Sequence, residues 1–222
     1  MTVWKGFLPS DHEKILSRAP GNQSFSSKRE LYFLLCNSIL IGNDRKRFSL
    51  ERPTGKKCYA FFARELGIVD SHKKESWSWI PLPGSKFKQL AKANEVWDLK
   101  IKHKINTNML SPNTTYTAYL ILSYESDCIG LDVRPADTRV KFGGTKFSGK
   151  ALLCQDTELM ELWSPVQIPR QREDGWMEIE LGDFFNNGGD GKVKMALKDT
   201  DTSTPKCGFV IIGMEVRPKK NN

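Results

Sequence analysis

From about residue 48 onward, apolar side chains recur at every second position in short runs, and no long helical stripe interrupts them. A period of two is the pleat of a β-strand, which sends successive side chains to opposite faces. In the stretch 97–105, Leu99, Ile101 and Ile105 fall on one side and Lys100, Lys102 and Lys104 on the other. Met177, Ile179 and Leu181 alternate with Trp176, Glu178 and Glu180; Val193, Met195 and Leu197 alternate with Lys194 and Lys198. Further strands are expected at 48–50, 58–63, 77–80 and 115–124. The stretch 209–216 is apolar on both faces, which predicts a central strand. Turn-rich segments, as at 106–113 and 186–191, separate these runs. Many short strands without long helices predict an all-β fold, a jelly-roll-like β-sandwich.

The first 46 residues read differently. Ser10-Asp11-His12-Glu13 has the form of a capping box ahead of Ile15 and Leu16, and Pro20-Gly21 stops that helix. Ser27-Lys28-Arg29-Glu30 repeats the signal before Leu31, Phe33, Leu34 and Leu35. The expected organisation is a short helical extension over 1–46, the sandwich over 47–218 and a basic tail over 219–222.

With 39% hydrophobic residues in 222, the chain can build a core without disulfides. Its five cysteines, at 36, 58, 128, 154 and 207, form no C-x-x-C pair, which predicts reduced thiols and a cytosolic or nuclear protein. Neither an apolar leader nor a run of about 18 apolar residues occurs, so no membrane association is expected. The sequons at Asn22 and Asn113 are accordingly read as chance.

Catalytic motifs fail on inspection. Gly144-Thr145-Lys146-Phe147-Ser148-Gly149-Lys150 fits a phosphate-loop spacing, but Ala151 stands where a magnesium-binding hydroxyl belongs, so a flexible Gly/Lys loop is expected. His12, His72 and His103 are too scattered for a metal site, and His103 continues an apolar strand face as a boundary histidine. The turn Asn186 to Gly191 lacks the carboxylate a calcium loop needs, Leu197 occupying that position. No enzyme activity, metal or cofactor is expected. The net charge of +8 permits attraction to polyanions, yet the lysine row at 100, 102 and 104 has no interleaved aromatics. It is read as a solvated face guarding a sheet edge rather than a nucleic-acid contact.

Three stretches carry a resemblance to a known family. The first runs from Gly55-Lys56-Lys57-Cys58-Tyr59 through Ala63-Arg64-Glu65-Leu66-Gly67-Ile68 to Trp77-Ser78-Trp79. The second is Trp97-Asp98-Leu99-Lys100-Ile101, continued by Thr115-Tyr116-Thr117-Ala118-Tyr119-Leu120. The third is Gly175-Trp176-Met177-Glu178-Ile179-Glu180-Leu181, closed by Gly213-Met214-Glu215-Val216-Arg217-Pro218. Together they resemble the lectin domain of phloem protein 2, the Nictaba type. The upstream Val3-Trp4-Lys5-Gly6-Phe7-Leu8-Pro9 and Ser27-Lys28-Arg29-Glu30-Leu31 resemble the connector between F-box and lectin domain in F-box members of that family. Only Met1 and Thr2 precede Val3, so the expectation is an F-box member lacking its F-box.

The resemblance implies a cytoplasmic and nuclear plant lectin that binds N-acetylglucosamine oligomers or N-glycan cores, on free glycans or glycoproteins, without catalysis. The alternative it carries is a substrate adaptor of a cullin-type ubiquitin ligase with reduced sugar binding. It places the carbohydrate site at Trp77, Trp79, Asp70 and Asp199. Sugar-binding members carry tryptophan at the place of Asp70, and carboxylates at the places of Lys192 and Asp199. Trp77 is the expected stacking residue and Asp199 its polar partner. The i, i+2 spacing of Trp77 and Trp79 suits either a sugar platform or a sandwich core. Trp97 and Trp176 lie in apolar ladders and are expected to be structural.

Overall fold

The computed structural model describes residues 3–21, 24–82, 89–154, 162–199 and 201–220. Two antiparallel sheets pack face to face as a jelly-roll-like β-sandwich, preceded by short helices. The larger sheet contains β1 (Ile39–Ile41), β2 (Lys46–Leu50), β3 (Lys57–Phe62), β5 (Trp77–Pro81), β6 (Gln89–Ala93), β8 (Thr114–Ile129), β11 (Arg170–Gln171), β12 (Met177–Asn186) and β14 (Cys207–Pro218). The smaller runs in the order β10 (Thr145–Ala151), β9 (Ala136–Phe142), β13 (Lys192–Asp199), β7 (Leu99–Asn106), β4 (Gly67–Ile68).

The two-faced apolar run becomes β14, paired along one edge with β8 and along the other with β3 and β6. Its central place explains its composition, because both faces are covered. The alternating runs line the core between the sheets: Leu99, Ile101, Ile105, Val193, Met195 and Leu197 are buried opposite Leu120, Ile179, Leu181 and Ile211.

The N-terminal helices are α1 (Val3–Phe7), α2 (His12–Leu16) and α3 (Lys28–Cys36). In α3 the Ser27 hydroxyl accepts the Glu30 N–H at 3.2 Å, while the Glu30 carboxylate accepts the Ser26 N–H and hydroxyl, each at 2.7 Å. The expected box at the start of α2 does not close. Asp11, its N-cap, makes no capping bond and instead pairs with Lys57 at 2.7 Å on β3. That pair fastens the helices to the sheet. Ile15, Leu31, Tyr32 and Leu35 enter the same core as the strands, so the boundary at 46/47 does not separate two cores.

Another expectation is corrected at residues 144–150. Thr145 onward lies in β10, a hairpin with β9 turned by Gly143 at φ +57° and Gly144, rather than in a flexible loop. The Phe147 ring of β10 lies on Gly182, a left-handed bulge residue (φ +135°) where any Cβ would collide with that ring. This contact draws β10 over β12 and closes one side of the sandwich. The sequon at Asn22 lies outside the described residues.

Candidate functional site

The residues nominated from sequence surround one end of the smaller sheet. Ile68 pairs with Ile101 and Leu99 with Asp199, so Asp70 and Asp199 flank the start of β7 on either side. The two indoles tie the turn at 69–71 to β5: Trp77 Nε1 donates to the Val69 carbonyl at 3.0 Å and Trp79 Nε1 to the Ser71 carbonyl at 3.1 Å. Asp70 adopts φ +57° in that turn and pairs with Lys73 at 3.1 Å on the surface.

Trp77 is not a stacking platform. Its side chain is buried, 2% exposed, and meets the Phe209 ring edge-on at 5.9 Å. An indole is the largest apolar payload a side chain offers, and here the core takes it. Trp79 is half-buried, and the Arg64 guanidinium covers its ring at 3.5 Å from the centroid. Arg64 is fixed there by Gln89 Oε1, at 2.8 and 2.6 Å from its Nε and Nη2. Trp77 thus has no face open to a sugar, and Trp79 has one face taken by Arg64. The two places expected to share carboxylate work, Lys192 and Asp199, begin and end β13. Seven strand steps separate them by roughly 23 Å, too far for one monosaccharide site.

Asp199 stands in a different setting, held in the wall of a cleft. Its Oδ1 accepts the Asp201 N–H at 2.9 Å, and its Oδ2 lies 3.4 Å from the buried Lys206 ammonium, which also donates to the Asp201 carbonyl. Lys206 is anchored by its backbone bridge to Val96. The carboxylate so fixed stands in the wall of a cleft of about 300 Å³. Trp163, 39% exposed, Arg134, Asp137, Lys150 and Asp201 complete its lining in the main. Arg134 Nε approaches Asp201 at 3.4 Å, and Lys150 holds Asp137 at 3.0 Å. Two hydrogen bonds from Ser203, aided by Arg134 and Lys206, hold the Asp201 carboxyl below its ordinary pKa. The cleft therefore combines an exposed aromatic side chain, carboxylate acceptors and cationic donors. Such a set stacks on the C–H face of a ring and hydrogen-bonds its hydroxyls.

The sequence reading missed Trp163. The available signal was its place in Leu162-Trp163-Ser164-Pro165, outside any alternating run. An aromatic there has no strand to carry it inward. Trp97 is a second correction: it is 46% exposed, its Nε1 donating to Glu95 at 3.1 Å. His103 is the boundary residue expected, although its Nε2 is buried without a hydrogen-bond partner among the described residues. Its Nδ1 meets the Glu65 carbonyl at 3.1 Å, and burial pushes its pKa down despite that bond. Among the described residues, no group of three His, Cys, Asp or Glu side chains could hold a metal.

A model of the phloem protein 2 family matches residues 56–218. The F-box protein PP2-B10 of Arabidopsis thaliana is 39% identical over 98% of this chain and 80% of its own length. The F-box protein PP2-B15 of the same plant is 39% identical over 98% and 84%. Among solved structures, a family 35 carbohydrate binding module from Clostridium thermocellum is 12% identical, with a TM-score of 0.37 over 72% of this chain and 96% of that one. That likeness is too distant to argue from.

Proposed function

The chain belongs to the phloem protein 2 family, and from that premise we propose that it binds glycans without transforming them, in the cleft beside Trp163. The ligand class is an N-acetylglucosamine oligomer or N-glycan core, free or on a glycoprotein, met in the cytoplasm or nucleus. One observation supports the site above others: the cleft sets an open indole among the carboxylates of Asp137, Asp199 and Asp201. A pyranose offers one apolar face and a rim of hydroxyls, and this lining answers both.

Calorimetric titration with chitotriose, together with a glycan array, tests the reading. Trp163→Ala is expected to abolish binding with little change in the melting temperature, because Trp163 belongs to neither hydrophobic cluster. Undiminished binding by that variant, or no binding by the native chain at millimolar sugar, would overturn it.

A second reading, a substrate adaptor in ubiquitin-dependent turnover, rests on no more than the word F-box in the names of the relatives. Silence on the array together with a stoichiometric protein partner recovered from plant extract would support it.

A further inference from the structure

The outer face of the smaller sheet carries a block of charge that is mostly unpaired among the described residues. Across β10, β9, β13 and β7, Lys146, Lys141, Lys194 and Lys104 lie side by side. The next row is Ser148, Arg139, Ala196 and Lys102, and the third is Lys150, Asp137, Lys198 and Lys100. Nine of these twelve side chains are cationic and one is anionic, so the face carries +8, the formal charge of the whole chain. The remaining 25 Lys and Arg are matched by 25 Asp and Glu. Outside these twelve positions the formal charges of the chain sum to zero.

The fold does not require this. Like charges directly opposite one another across strands are destabilising, and ordinary surfaces intersperse the two signs. Lys150 takes up Asp137 at 3.0 Å, and none of the other eight cations has an ion pair among the described residues. Edge protection, the reading given to the lysine row on its own, accounts for no more than part of it. Both β9 and β13 are interior strands, and β7 is edged only by the two-residue β4.

We propose that this face docks flat on an anionic phospholipid bilayer, as a peripheral and reversible contact. Three rows on four strands make a patch of roughly 13 by 14 Å, which a planar surface can meet at every position at once. Eight of the nine cations are lysines, point charges on flexible stems that suit mobile headgroups; arginine is the residue favoured for forked recognition of fixed phosphates. Its twelve strand positions offer no aromatic ring for base stacking and no apolar side chain larger than Ala196 to insert; Trp163 borders the third row alone, beside Asp137, Lys150 and Lys198. Binding is therefore set by surface charge and weakened by salt.

The test is flotation of the full chain with phosphatidylcholine vesicles containing 0 or 30% phosphatidylserine, at 50 and 200 mM KCl. Partitioning is expected only with phosphatidylserine and should fall at the higher salt. The variant K104E/K141E/K194E, drawn from the first row and away from the Trp163 cleft, should lose at least about tenfold in partitioning. The variant K14E/K28E/K74E makes the same charge change elsewhere and should stay within about twofold of the native chain. Thermal melting checks that both variants are folded, and chitotriose binding should be unaffected in both. Three results would overturn the proposal: no flotation of the native chain at 50 mM KCl, equal losses in the two variants, or capture by a 20-base-pair duplex under conditions where vesicles fail.

Discussion

The outer faces of the two sheets are built from the same alternating pattern and solve opposite problems. On the larger sheet, Arg172 Nη1 lies 3.0 Å from Glu178 and 2.9 Å from Glu215. Arg217 lies 2.7 Å from Glu178 and 3.7 Å from Glu215, so the four side chains close a ring of alternating sign. Beside them Leu90, Ile121, Val210 and Ile212 form a small apolar cluster on the same sheet. On the smaller sheet one sign dominates and nothing closes. Within one sandwich, then, one face satisfies its own charges and the other leaves them for something outside.

The largest expected effect on the ring falls at Glu178, which touches both arginines. Replacing it with alanine leaves both guanidinium groups short of a partner in a half-buried setting, and the expected loss is about 1–2 kcal/mol in urea unfolding. An unchanged midpoint would mean that the ring contributes nothing to stability. Acid separates the members of this face. Burial alone would raise the Glu178 carboxyl, but hydrogen bonds and charge from Arg217 and Arg172 outweigh it and hold the pKa below its ordinary value. Its contribution is therefore present above the usual carboxylate range and lost as pH falls through the lowered folded value. Glu180, two residues along, shows the reverse: burial and then the Asp183 charge raise its pKa. Protonation of Glu180 favours the fold as pH falls toward its ordinary value. Glu178→Gln should flatten the acid limb of the stability profile, and Glu180→Gln should raise stability at neutral pH. A pH series of urea melts reads both.

The same kind of substitution should act with opposite sign on the smaller sheet. Lys194 stands between Lys104 and Lys141. Lys194→Glu turns two like-charge neighbours into opposite-charge pairs, with an expected gain of about 0.5 kcal/mol. A loss would show that the lysines are already at ease in water and that the face carries no electrostatic strain.

The contrast between these faces was only partly legible in the chain. Alternation is local, so the strand at Leu99, Ile101 and Ile105 and its row of three lysines could be read directly. Register is not local: nothing within 97–105 says that Lys194 and Lys141 will lie beside Lys104. Lys146 and Lys150 were hidden further by two glycines, which suggested a loop where a hairpin forms. The site failed for a related reason. Spacing puts Trp77 and Trp79 on one face but cannot say whether Phe209 or solvent lies opposite, while Trp163 belongs to no periodic run. Asp199 was nominated by the family resemblance and not by periodicity; its dependence on Lys206 spans a turn that no period describes.

Salt gives the gentlest separation of the two faces. Neighbouring cations in a row are about 5 Å apart, and at 0.5 M KCl the screening length falls to roughly that distance. Repulsion within the exposed grid should then weaken appreciably, whereas the ring on the larger sheet, with each member at most 23% exposed, is less open to screening. Raising KCl from 50 to 500 mM is accordingly expected to increase the melting temperature by about 1–2 °C. The variant K104E/K141E/K194E removes the source of the effect and should show no rise, or a small fall as its new ion pairs are screened. An equal rise in both proteins would assign the gain to general salting-out of apolar surface and detach it from the charged face.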